Sequence, residues 1–153
     1  MSQISNDEEF RQALHGLDAT QQRLAAAMFV EHVLPLSGDE RLSRVIKTAK
    51  DKNASQDELS SALKTARATT MDLHTRCGSE GNWTDQAGYF VGRAAIAAVT
   101  PQAQSKTGNP AWAAAMSARM AQTSILIDDE SSEISTHSEN EWQYVMLSKF
   151  LNS

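Results

Sequence analysis

The sequence predicts an all-α fold. We expect a single-domain bundle of about seven helices with Ala-rich central helices. Hydrophobic residues make up 41% of its 153 residues and charged residues 22%, as is typical of one globular domain. Alanine supplies much of the apolar content, and it is the best helix former and a poor strand former. Apolar residues recur at helical spacing, and valine and isoleucine nowhere alternate as they do in strands. We therefore treat residues 1–153 as one helical domain.

The most apolar stretch is residues 87–99, AGYFVGRAAIAAV, where Arg93 is the only charged residue. A helix that is apolar on all sides belongs in a core or a membrane, and about 13 residues are too few to span a bilayer. We therefore expect a buried helix. Gly88 and Gly92 lie four residues apart on one face, so they would let a neighbouring helix of the same chain approach closely.

A second core helix is expected over residues 110–127, PAWAAAMSARMAQTSILI. Asn109 can cap it, and Pro110 suits its first turn because no hydrogen bond is lost there. A stripe of small residues runs along it: Ala113, Ser117, Ala121 and Ser124. Since small residues allow a short distance between axes, we expect this helix and the previous one to pack as an antiparallel hairpin.

The third core helix begins after Asp18, which forms a loose capping box with Gln21. Residues 24–30, LAAAMFV, are apolar on most sides of the helix, and the segment stops at Pro35.

Four amphipathic helices are expected to cover this centre. The first is capped by Ser5 or Asn6 and ended by Gly16, and the next two follow capping boxes at Ser37–Glu40 and Ser55–Glu58. The longer of these ends at Cys77–Gly78, before a loop over residues 78–84. A last capping box at Ser138–Glu141 starts the closing helix, whose inward residues are predicted to be Trp142, Val145, Met146 and Phe150.

The charge balance and the cysteine count limit the function classes. The net charge of −5 disfavours broad nucleic-acid binding, which needs a basic surface. A single cysteine, Cys77, excludes an internal disulfide and favours a reducing compartment. The N-terminal segment MSQISNDEEF has neither a basic region nor an apolar run. We therefore expect a cytoplasmic protein without a signal peptide or a membrane span.

The sequence contains no recognisable catalytic, cofactor-binding or metal-binding motif. The four histidines, His15, His32, His74 and His137, match no ligand spacing. His74 and Cys77 can share a helix face, but zinc needs three or four ligands. We therefore predict no catalytic residue, no cofactor and no metal.

Two charged segments remain open to interpretation. Arg41, Arg44, Lys47 and Lys50 form a basic row that is either a solvated face or a site for an anion or an acidic partner. Residues 127–137 are acidic and lack the ligand alternation of a calcium loop. The carboxylates of residues 128–141 form either a solvated loop or a contact for a cation or a basic protein: Asp128, Asp129, Glu130, Glu133, Glu139 and Glu141. The contact with a partner protein is predicted at Asp128, Asp129, Glu130 and Glu133.

Two terminal segments carry a family resemblance. In residues 21–36, QQRLAAAMFVEHVLPL, and 141–151, EWQYVMLSKFL, the chain resembles the YjaG-like family of uncharacterised bacterial helical proteins. That family opens with a Gln- and Ala-rich helix that closes on Leu-Pro, and it ends with an acidic-aromatic helix. The stretch MSARMAQTSILIDDE looks like its penultimate helix, whereas residues 37–110 depart from the pattern. The resemblance implies a helical bacterial protein and assigns no catalytic residue.

A second resemblance is carried by GRAAIAAV and PAWAAAMSARM, which are similar to Ala-rich helical immunity proteins of bacterial toxin systems. It implies a protein that binds another protein.

Three functional hypotheses follow. The first is a non-enzymatic protein-binding module, such as an immunity protein or antitoxin, with a basic partner. The second is an enzyme or small-ligand binder whose site is assembled from distant helices. A deep polar pocket that brings His32 or His74 together with carboxylates would favour the second hypothesis. The third is a homodimer, in place of a monomer, formed through an exposed helical face.

Overall fold

The computed structural model describes residues 4–80, 83–101, 104–105, 108–128 and 137–152, with the backbone only for residues 76–80, 83–85, 126–128 and 137–138. Within these ranges the chain forms α-helices joined by short connections, and it contains no strand. The all-α prediction is therefore confirmed. The helices are α1 (Asp7–His15), α2 (Ala19–Val33), α3 (Glu40–Lys50), α4 (Gln56–Glu80), α5 (Trp83–Val99), α6 (Pro110–Asp128) and α7 (His137–Leu151), with a 3-10 turn at Leu34–Leu36.

The centre of the bundle is built from α2, α5 and α6, which pack against one another in all three pairings. The most extensive pairing is between α5 and α6. Their contact surfaces consist mainly of alanine, so the side chains add little thickness between the backbones. The buried alanines of these helices are Ala25, Ala26 and Ala27 of α2, Ala87, Ala94, Ala95 and Ala98 of α5, and Ala111, Ala114, Ala115, Ala118 and Ala121 of α6. The prediction of three Ala-rich central helices is confirmed.

The small-residue stripe of α6 was only partly predicted. Ala121 and Ser124 are buried, but Ala113 and Ser117 are only half-buried, because the buried row is rotated toward the alanines beside them. Since α6 carries small residues on more than one face, the pattern could not show which row faces α5. The larger side chains beside this centre, Phe90, Ile96 and Met116, are half-buried and pack against the core.

Both glycines of α5 face α4. Gly92 lies against Thr70, and Gly88 lies near Leu73 and also near Ser37, in the connection before α3. The prediction that a neighbouring helix approaches α5 closely at these glycines is therefore confirmed, and at Gly92 that helix is α4. The Thr70 hydroxyl donates a hydrogen bond to the carbonyl of Ala66 at 2.6 Å, which fixes the orientation of the side chain at the contact.

Most of the predicted helix starts are confirmed. Asn6, Asp18 and Asn109 each accept a hydrogen bond from a backbone amide of the first turn, and Ser55 and Glu58 form a reciprocal capping box. Each cap satisfies an amide that the helix itself leaves unpaired.

Three boundaries differ from the prediction. The cap of α3 is Asp39, which accepts from the amide of Arg41, while the Ser37 hydroxyl donates to the carbonyl of Leu34. The helix α7 begins at His137, so the predicted cap Ser138 lies inside it. Between the other two helices, α4 continues through Gly78 to Glu80, and α5 already begins at Trp83. A single glycine costs about 1 kcal/mol inside a helix, and a helix of this length tolerates that cost.

The inward face of α7 was predicted only in part. Trp142 and Phe150 are half-buried and pack against the core, as predicted, and Met146 is half-buried. The prediction is wrong for Val145, which is 39% exposed, and the buried residues of α7 are Glu139, Gln143 and Leu147. The hydrophobic pattern failed because two polar side chains find partners in the bundle, as described below.

None of the described helices combines the length and the apolar character needed to cross a bilayer.

Candidate functional site

A group of polar side chains joins four helices at one side of the bundle, and we call it the polar cluster. Its members are Asp7 of α1, His32 of α2, Arg119 of α6, and Glu139, Gln143 and Tyr144 of α7. Each buried polar group in it is brought to a partner on another helix, as the cost of desolvation requires.

His32 and Glu139 form the first part of the polar cluster. The Nδ1 atom of His32 lies 3.0 Å from Oε2 and 3.2 Å from Oε1 of Glu139. The imidazole also stacks on the indole of Trp142, with ring centroids 3.6 Å apart and an angle of 10° between the planes. The side chain of His32 is 35% exposed and that of Glu139 only 4% exposed. Solvent therefore reaches the imidazole but scarcely reaches the carboxylate.

Burial of Glu139 raises the pKa of its carboxyl, because a charged carboxylate loses its hydration there. Hydrogen bonding and attraction from His32 oppose this change, as does the more distant charge of Arg119. The net direction is upward, since solvent is almost excluded while His32 itself remains partly in water.

Arg119 organises the second part of the polar cluster. Its Nε atom donates to Oε1 of Gln143 at 2.8 Å, and its Nη1 atom donates to Oδ2 of Asp7 at 3.1 Å. The amide nitrogen of Gln143 donates in turn to the carbonyl of Ala115 at 3.0 Å. The guanidinium lies over the rings of Phe10 and Tyr144, with its Cζ atom 5.4 and 5.8 Å from their centroids. A single arginine thus connects α1, α6 and α7.

Asp7 and Tyr144 complete the polar cluster. The Tyr144 hydroxyl donates to Oδ1 of Asp7 at 2.7 Å. The hydrogen bond from Arg119, followed by the one from Tyr144, holds the pKa of Asp7 below its ordinary value, although partial burial acts in the opposite direction. The pKa of Tyr144 is raised, first by burial and then by the neighbouring Asp7 carboxylate.

A concave surface adjoins the polar cluster between the start of α1 and the start of α7, and we call it the acidic hollow. It has a volume of about 590 Å³, and its lining includes Ile4, Asp7, Asn140, Glu141, Tyr144 and Val145. Its charged side chains are carboxylates, and Val145 supplies an exposed apolar surface. This mixture of acidic and apolar groups suits contact with a basic protein surface.

A second cleft, of about 270 Å³, lies between the start of α2, the start of α4 and the end of α5. Leu59, Leu63 and Val99 form its apolar lining. Arg23 stands at its wall, but its guanidinium already donates to the carbonyls of Ala49 and Asp51 at 3.1 and 2.8 Å. Arg23 therefore serves to close the end of α3.

The predicted acidic contact lies almost entirely outside the described residues. Asp128 is the last residue of α6, where only the backbone is described. Asp129, Glu130 and Glu133 lie outside the described residues. The contact with a basic partner therefore stays a prediction.

The basic row of α3 is partly neutralised by carboxylates. Arg41 donates to Asp39 at 2.9 Å and to Asp72 of α4 at 2.8 Å. Lys50 donates to Glu31 of α2 at 2.6 Å. These pairs favour the interpretation of the row as a solvated face, because two of its four cations already have acidic partners within the chain.

The other histidines contribute no assembled site among the described side chains. His74 tilts against Tyr89 with ring centroids 5.1 Å apart, and His15 is exposed at the end of α1. The side chains of Cys77 and His137 are outside the description. In the part of the chain whose side chains are described, no three His, Cys, Asp or Glu residues are close enough to hold a metal ion.

The sequence pointed to His32, and it placed Glu139 among the acidic residues expected at the surface. The second expectation is wrong, because Glu139 is buried and paired with His32. Arg119 and Gln143 were not predicted. One signal was present for Arg119, which is the only charged residue in residues 110–127. A lone charge in an otherwise apolar helix requires a buried partner. The sequence could not identify that partner, because Asp7 lies 112 positions away from Arg119.

Comparison of the chain with known protein families, with curated proteins and with solved structures gives no match.

Proposed function

We propose that this protein is a non-enzymatic helical module of the bacterial cytoplasm that acts by binding a basic protein. The observation that carries this proposal is the acidic hollow, whose lining combines the exposed Glu141 and Val145 with Asp7, which is half exposed in its ion pair with Arg119. The acidic residues Asp128, Asp129, Glu130 and Glu133 come shortly before α7 in the sequence, and we include them in the proposed contact. Complementary charge of this kind speeds association and selects the partner.

An immunity protein or antitoxin is the concrete version of this proposal. Such a protein needs a rigid scaffold and an accessible charged surface, and it needs no catalytic group. The net charge of −5 and the Ala-rich core are compatible with that role. The likeness of α5 and α6 to Ala-rich immunity proteins points in the same direction.

Isothermal titration against the purified products of the neighbouring genes tests the proposal. If one of them binds, the charge reversal Glu141→Lys should weaken binding about tenfold or more, because this exposed side chain lines the acidic hollow. The triple reversal of Asp128, Asp129 and Glu130 tests the preceding segment separately.

Asp57→Lys serves as the matched control. Asp57 is exposed at the start of α4, a helix that packs on α3 and α5, and the substitution changes the net charge in the same direction. If Asp57→Lys weakens binding as much as Glu141→Lys, which changes the net charge equally, the effect comes from net charge and the acidic hollow is not the contact.

A second candidate function is a small-ligand binder or an enzyme, and the pairing of His32 with Glu139 favours it. A carboxylate on one ring nitrogen orients an imidazole and supports its use as a general base. The reactive group in such a site would be His32, because Glu139 is nearly closed to solvent.

This candidate is tested by a thermal-shift screen with small metabolites, followed by repetition with His32→Gln. Stabilisation that disappears in His32→Gln, but persists in the exposed-residue control His15→Gln, would support a ligand site at His32. Equal stabilisation of both variants would place the ligand elsewhere.

A further inference from the structure

The face by which α7 attaches to the bundle differs from the faces of the central helices. Its fully buried positions are Glu139, Gln143 and Leu147, spaced four residues apart along one side. Only the last of these is apolar. By contrast, the buried positions of α2 include Phe29, Val30 and Val33 together with three alanines. The larger apolar side chains of α7, namely Trp142, Tyr144 and Phe150, are half-buried.

Polar contacts of this kind can be replaced by water when a helix moves away. The side-chain amide of Gln143 accepts a hydrogen bond from Nε of Arg119 and donates one to the carbonyl of Ala115. A water molecule can take over both roles, accepting from Arg119 and donating to Ala115. Asp7 is on α1, so Arg119 keeps its ion pair after α7 has left. The surface that remains therefore has few unpaired charges.

The carboxylate of Glu139 is the group whose hydration would increase most if α7 moved away from the bundle. It is 4% exposed in the bundle, and burial raises the pKa of its carboxyl. The charged or titratable groups that face it are His32 from α2 and Arg119 from α6. On the other elements, Asp7 of α1 faces Arg119, and Glu31 beside His32 is paired with Lys50 of α3. In its charged form Glu139 is therefore better hydrated when α7 is detached.

We infer that α7 is a detachable strap, which opens as one unit while α2, α5 and α6 stay folded. Local opening of a helix that fully buries few apolar side chains is a general property of folded chains. Opening carries Glu141 and Asn140 away from Asp7, and so it takes the acidic hollow apart. Control of partner binding by this movement rests on the function proposed above, whereas the opening itself can be measured without any partner.

Hydrogen exchange of the full chain, followed by mass spectrometry, tests the strap. We expect the amides of residues 141–150 to show a common protection that is about a hundredfold lower than that of the buried amides of α5 and α6. Protection of α7 equal to that of α5 and α6 would overturn the inference, because exchange would then require global unfolding.

Two variants make the test specific. Leu147→Ala should speed the exchange of α7 about tenfold and leave α5 and α6 unchanged under conditions of local opening. An equal increase in all helices would overturn the inference.

Glu139→Gln removes the buried charge, so it should slow the opening of α7 near neutral pH by up to about tenfold. The control Glu141→Gln, an exposed position on the same helix, should have no effect. If Glu139→Gln and Glu141→Gln behave alike, hydration of the buried carboxylate does not drive the opening.

Discussion

Gly92 of α5 lies so close to Thr70 of α4 that a Cβ atom at position 92 would be 3.1 Å from the Cβ atom of Thr70 and closer still to its Oγ1. The threonine cannot easily turn aside, because its hydroxyl is bonded to the carbonyl of Ala66. The contact between α4 and α5 therefore depends on the absence of a side chain at Gly92.

The first prediction concerns the glycines of α5. Gly92→Ala should lower the free energy of unfolding by about 1–2 kcal/mol, because the overpacking cost exceeds the gain in helix propensity. Gly88→Ala is the matched control, since its Cβ would meet Ser37 Cα at an ordinary 3.7 Å. It should be neutral or stabilising by up to about 1 kcal/mol. Urea unfolding measures both, and Thr70→Ala should partly rescue Gly92→Ala. Equal effects of the two glycine substitutions would contradict the prediction.

The second prediction concerns the aromatic anchor of α1. Phe10 is fully buried, with its ring centroid 5.6 Å from that of Phe29, 6.1 Å from that of Trp112 and 5.6 Å from that of Tyr144. Phe10→Ala should cost about 3–5 kcal/mol of unfolding free energy. Phe90→Ala should cost clearly less, because Phe90 is only half-buried. Thermal and urea unfolding measure the difference, and an equal cost at both positions would show that Phe10 is no special anchor.

The third prediction concerns the buried amide between α6 and α7. Gln143→Ala should lower the free energy of unfolding by about 2 kcal/mol, because Nε of Arg119 loses its buried acceptor. Lys149→Ala, an exposed change on the same helix, should stay within about 0.5 kcal/mol of the unchanged chain. A Gln143→Ala variant as stable as Lys149→Ala would mean that water satisfies the guanidinium in the folded protein.

The fourth prediction concerns pH. Arg119 and Tyr144 lower the pKa of Asp7 below the ordinary 3.8, so the folded state binds this proton less readily than the unfolded state does. The ionised carboxylate of Asp7 therefore stabilises the folded state above about pH 4, and this stabilisation is lost as the pH falls through the lowered pKa. Asp7→Asn should cost less than about 1 kcal/mol at neutral pH, since Asp7 is half exposed, and nothing near pH 2.

Urea unfolding of Asp7→Asn and of the unchanged chain at both pH values measures this effect. Tyr144→Phe is the control, because it removes one hydrogen bond to Asp7 and keeps the ion pair with Arg119. A stability difference for Asp7→Asn that does not depend on pH would rule out linkage through this carboxyl.

Local features of the chain were predictable from the sequence. The caps at Asn6, Asp18, Ser55 and Asn109 act within one helical turn, and the alanine content alone favours helix. The apolar character of residues 87–99 likewise indicated burial, and the alanines of α5 are in the core. In each of these cases the physical cause lies within a few residues of its effect.

The tertiary structure decided what depends on distant partners. It turned Glu139 and Gln143 of α7 inward, although the hydrophobic pattern favoured Val145. It also brought His32 to Glu139 across 107 positions and selected α4 as the neighbour of Gly92. A buried polar side chain is tolerated only where another helix supplies its hydrogen bond, and the order of residues along one helix carries no record of that helix. Helical class and core composition are therefore properties of the sequence of this protein, whereas the polar cluster and the acidic hollow exist only once its helices have packed.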